Sequence, residues 1–379
     1  MEPYWSVGGN PSSLHAEGRL ARAGIDEARD RLAAILGLKP SEIIFTAGGT
    51  ESNNLAVCGL ALAHESKGRH LVTSAIEHHA VLETCEYLRN RHGFQLTILP
   101  VDRMGLVDPS DLEKALAMET TLVTIMTANN ETGTRQPIEK LSEICADRGV
   151  FFHTDAVQNT GKERLQLKAS SITALSLTAH KFYGPIGAGV LCLSTGLPLE
   201  KLHHGGSQEN TRRPGTENVA AIVGLAEAFA LAQEMVEQER HRLFPLVEQL
   251  WQGLTDLPGI QRNGHPTQRM PNTLNVSFAG LDGEELLIGM DLSGLAVSSG
   301  SACLVGSVQP SHVLQAMGVP TEIAQATVRF SLGHSTQSED IPEIVARVRK
   351  VVQTQHTARK TFLSTDYTFI MEGESPYAP

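Results

Sequence analysis

The chain lacks the features that accompany binding to nucleic acid or insertion into a membrane. Its 379 residues include 31 lysines and arginines against 42 aspartates and glutamates, a formal net charge of −11, and no basic cluster. Nucleic acids and anionic membranes attract basic surfaces, so both are disfavoured as partners. The most apolar helical stretch, residues 219–232, is too short to span a bilayer. No apolar signal-peptide core lies near Met1, and a cytoplasmic protein is therefore expected.

The chain also lacks a cysteine pattern. Its cysteines are odd in number and widely spaced, without a Cys-x-x-Cys pair: Cys58, Cys85, Cys145, Cys192 and Cys303. This spacing argues against a disulfide framework and against a zinc site, so no metal is expected. Internal repeats are absent too. At this length we predict two domains, residues 1–237 and residues 238–379.

Apolar segments that alternate with helical segments predict an α/β fold for the larger, N-terminal domain. After a helix over residues 14–36, the predicted strands are 43–46, 70–74, 95–99, 121–126 and 150–154, and the helices between them are 51–64, 79–91, 109–118 and 138–148. Strands separated by helices form parallel sheets that are covered on both faces. Such a sheet binds its ligand beyond the carboxyl ends of its strands.

A long helical stretch over residues 218–254, with a break expected near Pro245, leads to a Pro/Gly-rich passage and then to the second domain. There we predict strands 273–278 and 327–331 with helices 284–291, 310–317 and 338–355. The tail, residues 357–379, lacks periodicity and is expected to be a flexible end or a docking segment.

Lys181 lies where an apolar, strand-like segment, residues 172–177, meets a Tyr-Gly-Pro turn. A partly buried lysine loses part of its preference for the charged form and can act as an amine nucleophile that forms a Schiff base. A surface lysine in a strand connection is the alternative. The choice depends on the residues that follow the other strands.

Two further motifs at strand ends have both a catalytic and a structural interpretation. Gly48-Gly49-Thr50 joins a strand to a helix, a geometry that suits a phosphate but also an ordinary tight turn. His78, in Glu77-His78-His79, could stack on a planar ring or cap the next helix.

Two more motifs follow the next strands of the predicted sheet. Asn129-Asn130 could orient a phenolic or carbonyl oxygen, although asparagines before glycine are also common turn residues. Asp155 closes a very apolar run and needs a partner such as a protonated ring nitrogen, or else caps a helix. A phosphate-binding turn, a stacking histidine, an aspartate and an imine lysine at one sheet edge together indicate a pyridoxal-phosphate site.

The second domain contributes two candidates. Cys303 lies in the Gly/Ser-rich loop 297–307, where a nearby base or cation would make its thiol reactive, whereas the other four cysteines have apolar neighbours typical of structural residues. Arg329 interrupts an apolar strand and could bind a substrate carboxylate through two hydrogen bonds. A surface arginine is the alternative.

These motifs resemble those of the cysteine desulfurases, fold-type I pyridoxal-phosphate enzymes of the class V aminotransferase-like group. The resemblance runs from Gly9-Asn10-Pro11 through the strand-end motifs and Ala179-His180-Lys181 to the loop Ser298-Ser299-Gly300-Ser301-Ala302-Cys303, which is similar to that of the NifS and IscS types. It implies a large domain with a mostly parallel seven-stranded sheet between helices, and a smaller α+β domain.

The resemblance also implies a role for each motif. Lys181 would bind pyridoxal 5'-phosphate as an imine, His78 would stack on its ring, Asp155 would pair with the ring nitrogen, and Gln158 and Asn130 would lie near the phenolic oxygen. The phosphate would be held by Gly49, Thr50, Thr178 and His180, and by Thr216 of the partner subunit in a homodimer. Arg329 would bind the carboxylate of L-cysteine, with Asn130 also near the substrate.

Cys303 would take the sulfur of L-cysteine as a persulfide, leave L-alanine, and pass the sulfur to an acceptor such as an iron–sulfur scaffold protein. Members of the family usually begin with a further strand ahead of the segment equivalent to Asn10-Pro11, so a shortened N-terminal segment is expected here. His334 also stands where arginine is common. Two alternatives stay open: a selenocysteine lyase of the same fold, and a catalytically weakened homologue that acts as a binding or scaffold protein.

Overall fold

The computed structural model describes residues 1–6, 9–165, 167, 170–299 and 310–371, with side chains up to residue 359. The chain divides into two compact units. Unit 1 comprises Met1–Arg242 and Gly264–Pro271, and unit 2 comprises Leu243–Asn263 and the chain from Asn272 onward. The predicted domain boundary, between residues 237 and 238, falls inside a long helix that begins in unit 1.

Unit 1 is built on a seven-stranded sheet. Its strands are β1 Ile43–Thr46, β2 His70–Ser74, β3 Gln95–Leu99, β4 Thr120–Thr124, β5 Phe151–Asp155, β6 Ala174–Thr178 and β7 Gly189–Leu193. They lie in the order β1-β7-β6-β5-β4-β2-β3. All neighbours pair in parallel except β7, which is antiparallel to both β1 and β6. The predicted mostly parallel seven-stranded sheet is thus confirmed.

The helices of unit 1 cover both faces of this sheet. They are α1 Glu2–Trp5, α2 Ala16–Leu36, α3 Gly49–Ala63, α4 His79–His92, α5 Pro109–Ala115, α6 Ile138–Asp147 and the first part of α7 Val219–Gln252. In β1, Ile43 and Phe45 pack with α2 and α7, whereas Ile44 packs with α3. Successive side chains of a strand point to opposite faces of the sheet, and helices bury both faces. These strands are therefore apolar throughout rather than at every second position.

Local signals fix the ends of α2. The helix ends at Gly37, whose φ of 71° is readily adopted by glycine, as the sequence predicted. Its first residue is Ala16, two residues after the predicted start at residue 14. The cap is His15, whose ring nitrogen accepts a hydrogen bond from the Gly18 amide.

Helix α7 is long and apolar enough to cross a membrane by length and composition. Its side chains Leu225 and Phe229, however, are fully buried in the protein core with Leu177 and Val190 of the sheet. This is the packing of a core helix, as expected. The helix continues through Pro245, where a break was expected.

Unit 2 is an antiparallel sheet with helices, which confirms the predicted smaller α+β domain. The strands β8 Ile260–Asn263, β9 Thr273–Phe278, β10 Ser298–Ser299 and β11 Thr327–Ser331 lie in the order β10-β11-β9-β8. The helices are α8 Gly283–Leu292, α9 His312–Ala316, α10 Thr321–Gln325 and α11 Asp340–Met371. Helix α11 extends through much of the tail in which no regular structure was expected.

Candidate active site

The candidate residues of unit 1 gather at one edge of the sheet. Asp155 is the last residue of β5 and Thr178 is the last residue of β6. Gly189, at the start of the reversed strand β7, pairs with both Thr178 and Thr46, which ends β1. The pairing register therefore brings the segments that follow β1, β5 and β6 to the same edge.

Asp155 is a buried carboxyl group with two hydrogen-bond donors. Its Oδ2 accepts from Asn53 Nδ2 at 2.6 Å, and its Oδ1 accepts from the Val157 amide at 2.9 Å. Burial raises the pKa of Asp155, although these hydrogen bonds and the charges of His78 and Lys181 act to lower it. A carboxylate in this position is stabilised most by a further cationic partner.

His78 caps helix α4, and its Nδ1 accepts a hydrogen bond from the Ala80 amide at 3.0 Å. Partial burial lowers the pKa of His78, and the charge of Lys181 lowers it further, whereas Asp155 acts in the opposite direction. In the neutral ring, an accepting Nδ1 leaves the proton on Nε2. The structural interpretation of His78 as a cap is therefore correct, and the hydrogen bond fixes the orientation of the ring.

Lys181 lies in the short 3-10 helix Ala179–Phe182 that follows β6, and its side chain is half-buried. The next residue but one, Tyr183, has a left-handed φ of 66° and ends this turn. The charge of Lys181 affects the pKa values of Asp155, His78 and His180, so these side chains lie within electrostatic range of one another. The structure thus brings together the predicted imine lysine, ring aspartate and stacking histidine.

The N-terminus of α3 forms a second centre in the site. The helix begins at Gly49, and no side chain caps it with a hydrogen bond. The preceding Gly48 has a φ of 155°, which side chains rarely tolerate, and a Cβ atom on Gly49 would lie 2.8 Å from Val157 Cγ2. A helix N-terminus whose first residue is glycine leaves its backbone amides accessible as donors to an anion.

Hydroxyl and imidazole groups surround this N-terminus. Thr178 Oγ1 donates to the Ala188 carbonyl at 3.1 Å and lies 3.2 Å from His180 Nδ1. An open cavity of about 860 Å³ is lined by Gly48, Gly49, Thr50 and His180, among others. These groups and the helix N-terminus could together bind an anion such as a phosphate.

Gln158 and Asn130 are partly buried in the segments that follow β5 and β4. Next to Asn130, the side chain of Asn129 accepts from the amides of Glu131 and Thr132 and donates to the Ile76 carbonyl. The turn interpretation therefore holds for Asn129. Asn130 follows it at the sheet edge.

Thr216 is exposed and lies three residues after Arg213. The Arg213 side chain contacts α3 and so holds this segment against the helix. Arg213 Nε donates to Glu51 Oε1 at 2.7 Å, and a terminal nitrogen of its guanidinium group donates to Glu51 Oε2 at 3.2 Å. The loop ahead of it contains three consecutive left-handed residues, Glu209 to Thr211.

The remaining candidates belong to unit 2 or lie outside the described residues. Arg329 is partly buried in β11, where it pairs with Asn275 of β9 and Ser298 of β10. Cys303, predicted to accept sulfur, lies outside the described residues. The other four cysteines are buried, as their apolar neighbours predicted, and burial raises their thiol pKa values.

Sequence reasoning missed three polar residues of the site. Asn53 binds Asp155, Glu77 is fully buried beside His78, and Lys162 donates to the backbone oxygens of Gln158 and Lys181. Asn53 had a detectable signal, because it occupies the same face of α3 as the buried Ala56 and Leu60. A polar residue on an apolar face is a candidate for a buried hydrogen-bond partner.

Comparison with known proteins agrees with this geometry. The sequence profile of the aminotransferase class-V family matches residues 1–344. A cysteine desulfurase IscS of Dictyoglomus turgidum is 46% identical over 353 residues, 92% of this chain and 89% of the relative. The corresponding protein of Methanosarcina thermophila is 46% identical over 354 residues, 93% of this chain and 87% of the relative. The solved structure of a NifS-like protein has a TM-score of 0.87 at 37% identity, with 93% of each chain covered.

Proposed function

The chain belongs to the aminotransferase class-V family, and from that premise we propose that it is a pyridoxal-phosphate-dependent cysteine desulfurase that converts L-cysteine to L-alanine. The observation that carries the proposal is the placement of Asp155 at the end of β5, Lys181 in the turn after β6 and His78 at the start of α4. Relatives named cysteine desulfurase IscS support this substrate. The selenocysteine lyase and the catalytically weakened scaffold protein are not favoured.

The described residues fit the cofactor group by group. Asp155 is a buried carboxyl group suited to a protonated ring nitrogen, and the neighbouring Asn53 Oδ1 is a buried acceptor without a partner in the described structure. The uncapped N-terminus of α3, with Thr50, Thr178 and His180, suits the phosphate. When bound, pyridoxal phosphate supplies an electron sink for carbanion chemistry next to an amino group.

The chain's own residues then bind, orient and move protons. Lys181 is the amine that would hold the cofactor and transfer protons, and His78 would stack on the cofactor ring. Gln158 and Asn130 would orient the phenolic oxygen, Asn130 would also contact the substrate, and Arg329 would bind the substrate carboxylate through its guanidinium group.

Sulfur leaves the substrate through Cys303. Its thiolate attacks the sulfur atom of L-cysteine, so that a sulfur–sulfur bond forms as the carbon–sulfur bond breaks. The persulfide then passes to an acceptor protein, such as a scaffold for iron–sulfur clusters. The enzyme would act in the cytoplasm as a homodimer in which Thr216 of one subunit would contact the cofactor phosphate in the other. It would have no nucleic-acid or membrane partner.

Substitution of Cys303 by serine separates sulfur transfer from cofactor binding. Cys303→Ser should retain the visible absorption of the cofactor and lose the persulfide, because a hydroxyl group cannot accept sulfur. Persulfide labelling followed by peptide mass spectrometry measures this loss, and Cys58→Ser, which replaces a buried thiol, is the matched control. Undiminished persulfide and sulfide from Cys303→Ser would remove this residue from the function.

A further inference from the structure

Lys162 connects two turns of the proposed site. Its Nζ donates a hydrogen bond to the backbone oxygen of Gln158 at 3.1 Å and another to the backbone oxygen of Lys181 at 3.3 Å. One turn follows β5 and the other follows β6. The ammonium group therefore spans the two strand ends that carry the proposed ligand of the phenolic oxygen and the proposed imine lysine.

The Lys162 side chain is partly buried, and both of these hydrogen-bond acceptors are neutral carbonyl oxygens. Burial, followed by the charge of Lys181, lowers the pKa of Lys162 to about 8. In most molecules the Lys162 side chain is therefore still protonated at neutral pH. Since the electrostatic effect between two groups is mutual, the positive charge of Lys162 also acts on the Lys181 nitrogen.

Other titratable groups face Lys181 from the neighbouring elements. The Asp155 carboxyl group at the end of β5 interacts with it, as do the imidazoles of His78 at the start of α4 and of His180 in the same turn. Burial lowers the pKa of both histidines, which favours their neutral forms. The negative charge of an ionised Asp155 favours the protonated form of Lys181, whereas the positive charge of Lys162 disfavours it.

We propose that Lys162 is a positioning residue of the desulfurase site, which holds the Gln158 turn against the Lys181 turn and keeps a second positive charge at the Lys181 turn. The inference rests on the proposed function, because it takes Lys181 as the residue that binds the cofactor. A neighbouring cation disfavours protonation of an amine and so activates a lysine nucleophile. The charge of Lys162 thereby increases the fraction of molecules in which the Lys181 amine is unprotonated. Only the unprotonated amine can form a bond to a carbonyl carbon.

The test compares Lys162→Met, Lys162→Gln and Lys162→Arg in the full chain loaded with pyridoxal phosphate. The absorption band of the bound cofactor is titrated with pH, because it follows protonation of the nitrogen that joins Lys181 to the cofactor. In the Met and Gln variants we expect the midpoint to rise by about one pH unit, a tenfold change in proton affinity. In Lys162→Arg, which keeps the charge, the midpoint should stay at the wild-type value.

The controls separate charge, position and folding. Lys67→Met is the matched control, since Lys67 also donates to a backbone carbonyl, that of Gly149, at an exposed place in unit 1. Lys162→Gln keeps a donor for the two carbonyls, so it decides the question if the Met variant does not fold. Unchanged midpoints in both uncharged variants would overturn the inference, and an equal shift in Lys162→Arg would refute the role of the charge.

Failure of the inference is distinguishable from failure of the proposed function. The absorption titration reports on Lys181 whether or not alanine is formed. A wild-type chain that forms alanine, with variants whose midpoints do not move, contradicts only the role of Lys162. A cofactor-loaded wild-type chain that forms no alanine contradicts the desulfurase, whatever the midpoints show.

Discussion

Two buried carboxyl groups, Asp155 and Glu77, lie at the sheet edge where β5 and β2 end. Glu77 accepts hydrogen bonds from Ser74 Oγ at 2.5 Å and from the Met126 amide at 2.9 Å. Burial raises the pKa of Glu77 to about 8, and the charge of Asp155 contributes to the rise. Because two like charges in one buried region repel each other, a protonated Glu77 allows Asp155 to carry the single negative charge that a ring nitrogen requires.

Glu77 should make the folded chain less stable as pH rises from about 4.5 to about 8. A carboxyl group with a raised folded-state pKa keeps its proton in this window, whereas the unfolded chain has lost it. The free energy of unfolding therefore falls with pH, and Glu77→Gln should remove this contribution. Urea unfolding at about pH 5 and about pH 8 measures the difference.

Glu83→Gln is the control for this measurement, because Glu83 is exposed on the same helix, α4. It should show the same pH dependence as the wild type. An identical slope in Glu77→Gln and the wild type would contradict a protonated Glu77.

At the scale of elements, the turn between β1 and α3 is the part of the site most dependent on backbone geometry. Gly48 adopts a φ of 155°, and a Cβ atom there would lie 3.7 Å from Thr178 Oγ1. The strain on any substitution therefore arises from the backbone rather than from a clash. It acts directly on the amides that the phosphate would contact.

Gly48→Ala should lower the affinity for pyridoxal phosphate at least tenfold and cost about 1–3 kcal/mol of stability. Gly149→Ala is the matched control, since Gly149 has a φ of 64° and open space around it, away from α3. It should lose similar stability without loss of cofactor affinity. Fluorescence titration with the cofactor measures the affinity, and equal affinities in the two variants would argue against phosphate binding at α3.

The individual strands and helices also show how much of the fold could be predicted from the sequence. Strands β1 to β5 of the large sheet were predictable because each is an apolar run bounded by helical segments. Strands β8 and β10 were not, since β10 has only 2 residues and β8 is partly exposed. Helix α11 was predicted only as far as Gln355, because beyond it the apolar period on which the prediction depended is lost.

The residues of the candidate site also fall into those that the sequence could predict and those that it could not. The placement of Asp155, His78 and Lys181 could be predicted because each lies at or shortly beyond the end of a strand and carries its own local motif. The contact of Asn53 with Asp155 joins residues 102 positions apart, and the pair of Arg29 with Glu209 spans 180 positions. Such partners are chosen by the fold and leave only a weak mark in the local sequence.

At the scale of the whole molecule, the proposal assigns residues of two subunits to one site. Lys181, Asp155, His78 and the turn between β1 and α3 belong to unit 1. Thr216 is exposed in unit 1, and the proposal assigns it to the site of a second subunit. The assembled dimer is therefore the unit of activity in this account.

Mixing two inactive variants tests this assignment. Thr216→Ala and Lys181→Ala should each have little activity, but a mixed dimer contains one site in which both residues are native. After subunit exchange at equal concentrations, alanine formation should recover to about a quarter of the wild-type rate, because half of the dimers are mixed and each has one intact site. No recovery in a mixture shown to contain mixed dimers would place Thr216 outside the partner's site.

The central claim is that Lys181 binds pyridoxal phosphate in a site that removes sulfur from L-cysteine. The most direct measurement is the absorption spectrum of the purified chain before and after addition of L-cysteine, with alanine and sulfide assayed in the same tube under reducing conditions. We predict a visible cofactor band that shifts on addition of cysteine, equal amounts of alanine and sulfide, and loss of both products in Lys181→Ala. A chain that pyridoxal phosphate cannot reconstitute, or a cofactor-loaded chain that forms no alanine, would contradict the account.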